Sequence, residues 1–365
     1  MKSRIYLDHA ATTPPGAAAR AAVAEALLLA GNPASVHAGG RAANGVLEGA
    51  RDGVAGFAGA AAEQIIFTSG GTEAIALAAN GTPLRLLVGA TEHSAVLQAR
   101  GDAAVLPVDG HGLIDLDALA AALVAGPALV AVQAANNETG VIQPIADVAA
   151  LVHAAGGLLL VDAVQAAGKL PLPALVAAAD FTAISAHKLG GPAGVGALIV
   201  RSPDTLIPRQ RGGGQERGHR GGTPNLPGIA GFAAAVRETP DLTTVWAAVT
   251  ARRTALEERL QAAGAIIHGQ GAPRLPHISN IGLPGAASAT QVMMLDLDGF
   301  MVSAGAACSS GKVKSSHVLA AMGLGAAAGE AIRVSLSPAT SDDDIAAFAA
   351  AWLAMAARLG RRIGA

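Results

Sequence analysis

The stretch Asp180-Phe-Thr-Ala-Ile-Ser-Ala-His-Lys188-Leu-Gly-Gly-Pro192 reads as an apolar strand that delivers one amine into a turn of small residues. Upstream, Leu158-Leu-Leu-Val-Asp162-Ala-Val-Gln165 is a second apolar run of strand length, and it ends in a carboxylate. In an open parallel sheet the groups that meet a ligand lie beyond the carboxyl ends of the strands, so Lys188 and Asp162 are predicted to share one sheet edge. A lysine after a strand is ordinarily a solvated loop cation, but Ser185, His187 and two glycines surround this one. Amine plus carboxylate at such an edge suggests pyridoxal phosphate, which takes a lysine for its Schiff base and an anion to keep its pyridine nitrogen protonated.

Outward from these two strands, apolar runs alternate with helical stretches from about Ala17 to Val200. Gln64-Ile-Ile-Phe-Thr68, Leu84-Arg-Leu-Leu-Val88, Ala128-Leu-Val-Ala-Val132 and Val195-Gly-Ala-Leu-Ile-Val200 join the two already quoted. This alternation predicts an α/β fold with a mainly parallel sheet. A loop rich in Gly and Arg follows, from Arg209 to Asn225. Beyond about Asp241 a long helical pattern, Val245 to Ala263, precedes weaker strands at His277 to Ile281 and Ile332 to Leu336, with helices around Thr290 and at the C-terminus. The expected division is a large domain over residues 17–245 and a smaller α+β domain made of residues 1–16 and 246–365. Ser341-Asp-Asp-Asp344 reads as a helix N-cap followed by acidic residues that face the helix dipole.

Composition bounds the function. At 365 residues the chain can bury a large core, and 52% hydrophobic content with only 2% aromatic means that alanine and small aliphatics fill it. A net charge of -2 gives no electrostatic case for nucleic acid or an anionic membrane as partner. The start lacks the long apolar core of a signal peptide, and Leu158 to Val161 is too short to span a bilayer, so the expected location is the cytoplasm. A single cysteine, Cys308, rules out an internal disulfide framework, and with no CxxC or HExxH no resident metal is expected.

Further motifs fall between strands and helices. Thr68-Ser-Gly-Gly-Thr72-Glu73 follows one strand and opens a helix, where backbone N–H groups and the Thr72 hydroxyl can cradle a phosphate. Ser185 and His187 flank the lysine and can donate to the same phosphate. His93, in Thr91-Glu-His-Ser, follows the strand Leu84 to Val88, so its imidazole can stack on a pyridine ring and carry protons; alone, such a histidine reads as a cap or surface residue. Asn137, in Asn136-Asn-Glu-Thr-Gly140, follows the strand Ala128 to Val132 and is a candidate for the phenolic oxygen or a substrate carboxylate, although paired asparagines also build plain turns.

Taken together, Asp8-His-Ala-Ala-Thr-Thr13, Asn32-Pro-Ala-Ser-Val-His37, Ser69-Gly-Gly-Thr-Glu73, Asp162-Ala-Val-Gln165, Ser185-Ala-His-Lys188, Gly212 to Asn225, Ser303-Ala-Gly-Ala-Ala-Cys308 and Ile332-Arg-Val-Ser335 resemble the cysteine desulfurases of the NifS/IscS kind. These belong to the class V aminotransferase group of fold type I pyridoxal-phosphate (PLP) transferases. The resemblance implies that Lys188 holds PLP, Asp162 pairs with the pyridine nitrogen, Gln165 bonds the phenolic oxygen and His93 stacks on the ring. It implies a phosphate site of Gly71, Thr72, Ser185 and His187, with Thr223 reaching across from the partner of a homodimer. Asn32, Asn137 and Arg333 would hold the substrate carboxylate, and Cys308 would accept sulfur from L-cysteine as a persulfide, releasing L-alanine. Cys308 lies among small residues with Lys312 and Lys314 as the nearby cations. The implied partners are a sulfur acceptor or iron–sulfur scaffold, with a transient cluster contact at Cys308.

Two other readings stand beside this one. A selenocysteine lyase, β-lyase or aminotransferase would leave Cys308 incidental. The run Arg209-Gln-Arg-Gly-Gly-Gly-Gln-Glu-Arg-Gly-His-Arg-Gly-Gly222 resembles a nucleic-acid-binding segment, but no aromatic residue interleaves it. The chain also ends soon after the Arg333 motif, so it is expected to lack part of the tail with which longer relatives meet their scaffold.

Overall fold

Each apolar run quoted above forms a strand, because a continuous branched-aliphatic stretch of this length can be buried on both faces of a sheet. The computed structural model describes residues 4–240, 242–305 and 315–363. Within them the strands are β1 (Ile5–Tyr6), β2 (Ile65–Thr68), β3 (Arg85–Gly89), β4 (Ala104–Leu106), β5 (Ala128–Gln133), β6 (Leu158–Asp162), β7 (Phe181–Ser185) and β8 (Gly196–Val200). Five more follow: β9 (Ile266–Ile267), β10 (Ile278–Gly282), β11 (Phe300–Met301), β12 (Ser303–Ala304) and β13 (Ala331–Ser335).

The large sheet has the order β2-β8-β7-β6-β5-β3-β4. It is mainly parallel, as the sequence predicts, and β8 alone runs against its neighbours β2 and β7. Side chains alternate across it with period two. Val130, Val132, Leu159, Val161 and Ile184 join one core with the helices Ala38–Ala58, Ile145–Ala154 and Leu226–Arg237. Leu129, Ala131, Leu160, Phe181 and Ala183 join another, against the helix Gly71–Asn80.

A smaller antiparallel sheet of order β12-β13-β10-β9 packs under the helices Thr244–Gln261 and Asp342–Ile363, with Trp352, Phe348 and Val249 fully buried between them. The last helix begins as read from the sequence. Ser341 Oγ accepts from the Asp344 N–H at 3.1 Å, and the Asp344 carboxylate accepts from the Ser341 N–H at 2.9 Å, a reciprocal cap. The N-terminal segment joins the two sheets: Leu7 donates to Met301 O at 2.9 Å, Ser335 donates to Leu7 O at 2.8 Å, and Thr13 donates to His187 O at 2.9 Å.

The Gly- and Arg-rich loop is pinned by a buried ion pair. Arg51 Nη1 and Nη2 meet Glu216 Oε2 and Oε1 at 2.8 and 3.0 Å, and Glu216 Oε2 also accepts from the Phe67 N–H at 2.8 Å. Glu216 and Arg217 hold left-handed backbone, φ 47° and 55°, without being glycine, a strain that the paired carboxylate offsets. Glu216→Ala would leave Arg51 in the core with only the more exposed Glu48 carboxylate, 3.2 Å from its Nε, so it should lower stability in urea unfolding by about 3 kcal/mol, and adding Arg51→Met should recover part of that loss.

Candidate active site

The carboxyl ends of β3, β5, β6 and β7 open into one cavity of about 440 Å³, a size suited to a small cofactor with its substrate. Lys188, Asp162, Gln165 and His93 line it, as do Gly71, Thr72, Ser185 and His187. Asn137, beyond the carboxyl end of β5, and Arg333, on β13 of the small sheet, join the lining. The geometry therefore gathers residues from Ala10 near the start of the chain to Arg333 near its end.

Lys188 sits in a short turn just after β7, and its Nζ donates to Ala10 O at 2.6 Å and to Ala11 O at 2.7 Å. Burial and the nearby Arg333 guanidinium push its pKa down to about 8, against the opposing pull of Asp162 and Asp8. Burial raises the Asp162 pKa, while the Val164 N–H at 2.9 Å, His93 and Lys188 favour its ionised form. Gln165 Nε2 donates to Ala10 O at 2.8 Å, which leaves Oε1 buried with no partner.

His93 has the capping role read from the sequence, and it sits where a ring-stacking residue would be needed. It caps the short helix Ser94–Leu97, with Nδ1 accepting from the Ala95 N–H at 3.1 Å, and it also lines the cavity. A ring that accepts through Nδ1 carries its proton on Nε2 when neutral. Desolvation lowers its pKa, with Lys188 and His317 adding to that and Asp162 opposing it. His187 meets Thr12 Oγ1 at 3.2 Å, and burial beside Lys188 and Lys169 pushes its pKa down to about 4.

At the start of the helix Gly71–Asn80 the backbone approaches β6 closely. A Cβ on Gly71 would lie 2.7 Å from Val164 Cγ2, and Gly70 holds φ 148°, so glycine is what allows free N–H groups to face the cavity here. The neighbouring Glu73 is neutralised as an anion: burial would raise its pKa, but Arg220 at 2.8 Å and Ser69 hold it low.

Arg333 is buried and already engaged. Its Nη2 meets Asp8 Oδ1 at 2.7 Å and its Nη1 donates to Asn137 O at 3.0 Å, while Nε has no partner. Asn137 thus contributes its backbone carbonyl to the arginine. The adjacent Asn136 is buried and structural, accepting from the Glu138 and Thr139 N–H groups at 2.8 and 2.9 Å.

Two expected residues lie elsewhere in the single chain. Asn32 is exposed, with its Oδ1 accepting from the Ala34 N–H at 2.9 Å in a local turn. Thr223 lines a separate cavity of about 70 Å³ beside Ser69 and Glu216. Cys308, with Lys312 and Lys314, lies outside the described residues. Sequence reasoning misses the Ala10 and Ala11 carbonyls, which carry no side-chain signal, and His317, a lone histidine whose Nε2 meets Glu92 O at 2.9 Å beside the cavity. It also misses Glu138, which accepts from the Ser316 hydroxyl at 2.6 Å.

These residues fit pyridoxal phosphate: an amine with a lowered pKa, a buried carboxylate, a glycine-lined helix start, and unpartnered polar atoms on Gln165 and Arg333. The model for aminotransferase class-V proteins matches residues 5–348. A cysteine desulfurase of Cereibacter sphaeroides is 42% identical over 361 residues, covering 94% of this chain and 93% of its own. The solved structure of a NifS-like protein from Rickettsia africae superposes with a TM-score of 0.88 at 32% identity, covering 96% of this chain and 98% of that one. A structure titled SspA in complex with cysteine matches with a TM-score of 0.79 at 28% identity over 91% of this chain and 99% of its own. These likenesses bear out the fold type I α/β reading.

The lowered pKa gives a direct test. In the cofactor-free chain, labelling of Lys188 by acetic anhydride, followed by peptide mass spectrometry, should rise with pH about a midpoint near 8, where an ordinary lysine would need about 10.5. Asp162→Asn removes an anion that favours the ammonium, so its midpoint should fall below the wild-type value. A wild-type midpoint near the ordinary lysine value would contradict the site's electrostatics.

Proposed function

The chain belongs to the aminotransferase class-V family, and on that premise we propose that it is a PLP-dependent cysteine desulfurase acting on L-cysteine. The observation that carries the reading is the convergence of Lys188, Asp162, His93 and Arg333 on one cavity. The Cereibacter relative bears the desulfurase name, which favours this reading over a selenocysteine lyase, β-lyase or aminotransferase.

Bound in this cavity, pyridoxal phosphate supplies a protonated pyridine ring that accepts electron density from the substrate's Cα. Asp162 would hold the proton on that ring nitrogen, and its burial strengthens the pair by excluding water. Gln165 would meet the phenolic oxygen, and Thr72, Ser185, His187 and the N–H groups at Gly71 would hold the phosphate. Lys188, with a pKa of about 8, has a useful fraction of free amine near neutral pH and would take the proton from Cα. His93 would carry protons through Nε2–H over the ring face.

Arg333 would fix the substrate carboxylate with its planar fork, and so fix which bond at Cα is broken. The Cys308 thiolate then attacks the substrate sulfur: the C–S bond breaks, an S–S bond forms on Cys308, and the carbon skeleton takes up protons and leaves as L-alanine. The persulfide passes to a sulfur acceptor such as an iron–sulfur scaffold. The protein works as an isologous homodimer in this reading, and a second copy is what would bring Thr223 to such a site. Its setting is the cytoplasm, where thiols such as Cys308 stay reduced.

The half-reactions separate by mutation. Cys308→Ala should keep the cofactor's visible absorbance and its change on adding L-cysteine, yet lose alanine turnover and the persulfide seen by mass spectrometry. Arg333→Ala should weaken substrate binding by roughly 1.5–3 kcal/mol, as for other charged hydrogen-bond partners, read as a rise in KM together with a fall in kcat. Full alanine production by Cys308→Ala would sink the desulfurase reading and leave a lyase.

A further inference from the structure

Behind Lys188, on the side away from the site already described, lies a second cavity of about 100 Å³. It has room for several waters or one small hydrated ion. Its lining includes Lys169, His9, His277 and Thr239, with Trp246 as an apolar wall. The polar groups here are short of partners. Both ring nitrogens of His277, which is only 1% exposed, lack a hydrogen bond, as do His9 Nδ1 and Thr239 Oγ1. The Trp246 indole is spent on Gly168 O at 2.8 Å.

Among the described residues the charge balance is one-sided. Lys169 Nζ donates to Lys188 O at 2.7 Å, and among the described residues it has no carboxylate partner. The charged and titratable groups that act on His277 are Lys169, His9, Arg253 and Arg333, all of them basic. Asp8 is the one carboxylate that acts on His9, and it is already held by Arg333 at 2.7 Å and by Ser303 at 2.8 Å. Burial, with Lys188 beside it, pushes the Lys169 pKa down to about 7, so its ammonium is only partly populated near neutral pH; water would meet the open hydrogen bonds, whereas an anion would also favour the charged form.

We propose that this cavity binds a small inorganic anion of the halide kind, held by Lys169 and the His277 ring with the Thr239 hydroxyl. Lys188 lines both cavities, and Lys169 Nζ reaches its main-chain oxygen at 2.7 Å, so an anion held by Lys169 would sit on the main-chain side of the lysine. The site needs no step of the proposed reaction and stands or falls separately from it.

Crystals of the holoenzyme soaked in sodium bromide should show an anomalous peak within hydrogen-bond reach of Lys169 Nζ and the His277 ring. In solution, replacing gluconate by chloride at constant ionic strength should raise the holoenzyme's Tm by roughly 2 °C or more, against the ordinary tendency of well-excluded salts to stabilise better. Lys169→Met should abolish that dependence; if this variant does not fold, Thr239→Val should reduce it. Bromide peaks on the surface with only water in the cavity would overturn the proposal, and so would a chloride response equal in wild type and variant or absent from the wild type.

Discussion

The carbonyl oxygens of Ala10 and Ala11 hold the Lys188 ammonium at 2.6 and 2.7 Å, and the rest of the site depends on that contact. The peptide that carries them belongs to both halves of the molecule. Leu7 is hydrogen-bonded to β11 and to Ser335 at the end of β13, and the Ala10 N–H donates to Ser335 Oγ at 2.9 Å. Ala10 O also accepts from Gln165 Nε2 at the end of β6. One short segment thus sets the lysine, the glutamine and the small sheet in a single register. A shift of the small sheet would move the oxygens that steady the amine, which is why Arg333 on that sheet keeps its distance to groups on the large one.

The same enclosure explains the pattern of protonation. Burial works against charge on every titratable group here, but it acts on Lys188 and Asp162 in opposite directions: it lowers the amine's pKa and raises the carboxylate's. Each then favours the other's charged form, and the pair remains usable near neutral pH because neither effect runs unopposed. His187, close to both Lys188 and Lys169, has no such anion and is pushed to about 4, which makes it a neutral donor or acceptor rather than a cation.

The long apolar runs are legible in the sequence because a strand buried on both faces needs no alternation, and all of those quoted become strands. The shorter ones are not. β1, β9, β11 and β12 have two residues each and β4 has three, too few to show a period; β4, β9 and β12 form on the open edges of longer strands, and β1 and β11 pair only with each other. The reversed direction of β8 is likewise silent in an apolar run. At the site, Lys188, Asp162 and the glycines announce themselves by local context. The carbonyls of Ala10, Ala11 and Asn137 do not, since every residue has one and only tertiary approach selects which matter. The Arg51–Glu216 pair joins residues 165 apart, a separation that no local pattern reveals.

Arg333 shows how folding can prepare a site for a charged ligand. A guanidinium with a side chain only 3% exposed must be paired in every state, and Asp8, 18% exposed, is the partner it has. Its desolvation therefore belongs to folding rather than to binding. In the proposed reaction a substrate carboxylate would have to exchange with Asp8 or share the fork with it through the unpartnered Nε, and Asp8 has the Ser303 hydroxyl at 2.8 Å as a second partner. The net gain on binding is then the difference between two ion pairs, modest in free energy but exacting in geometry. That difference would suit the orienting task proposed for Arg333, because the Asn137 carbonyl, holding Nη1 at 3.0 Å, fixes the plane in which a carboxylate would have to meet the guanidinium.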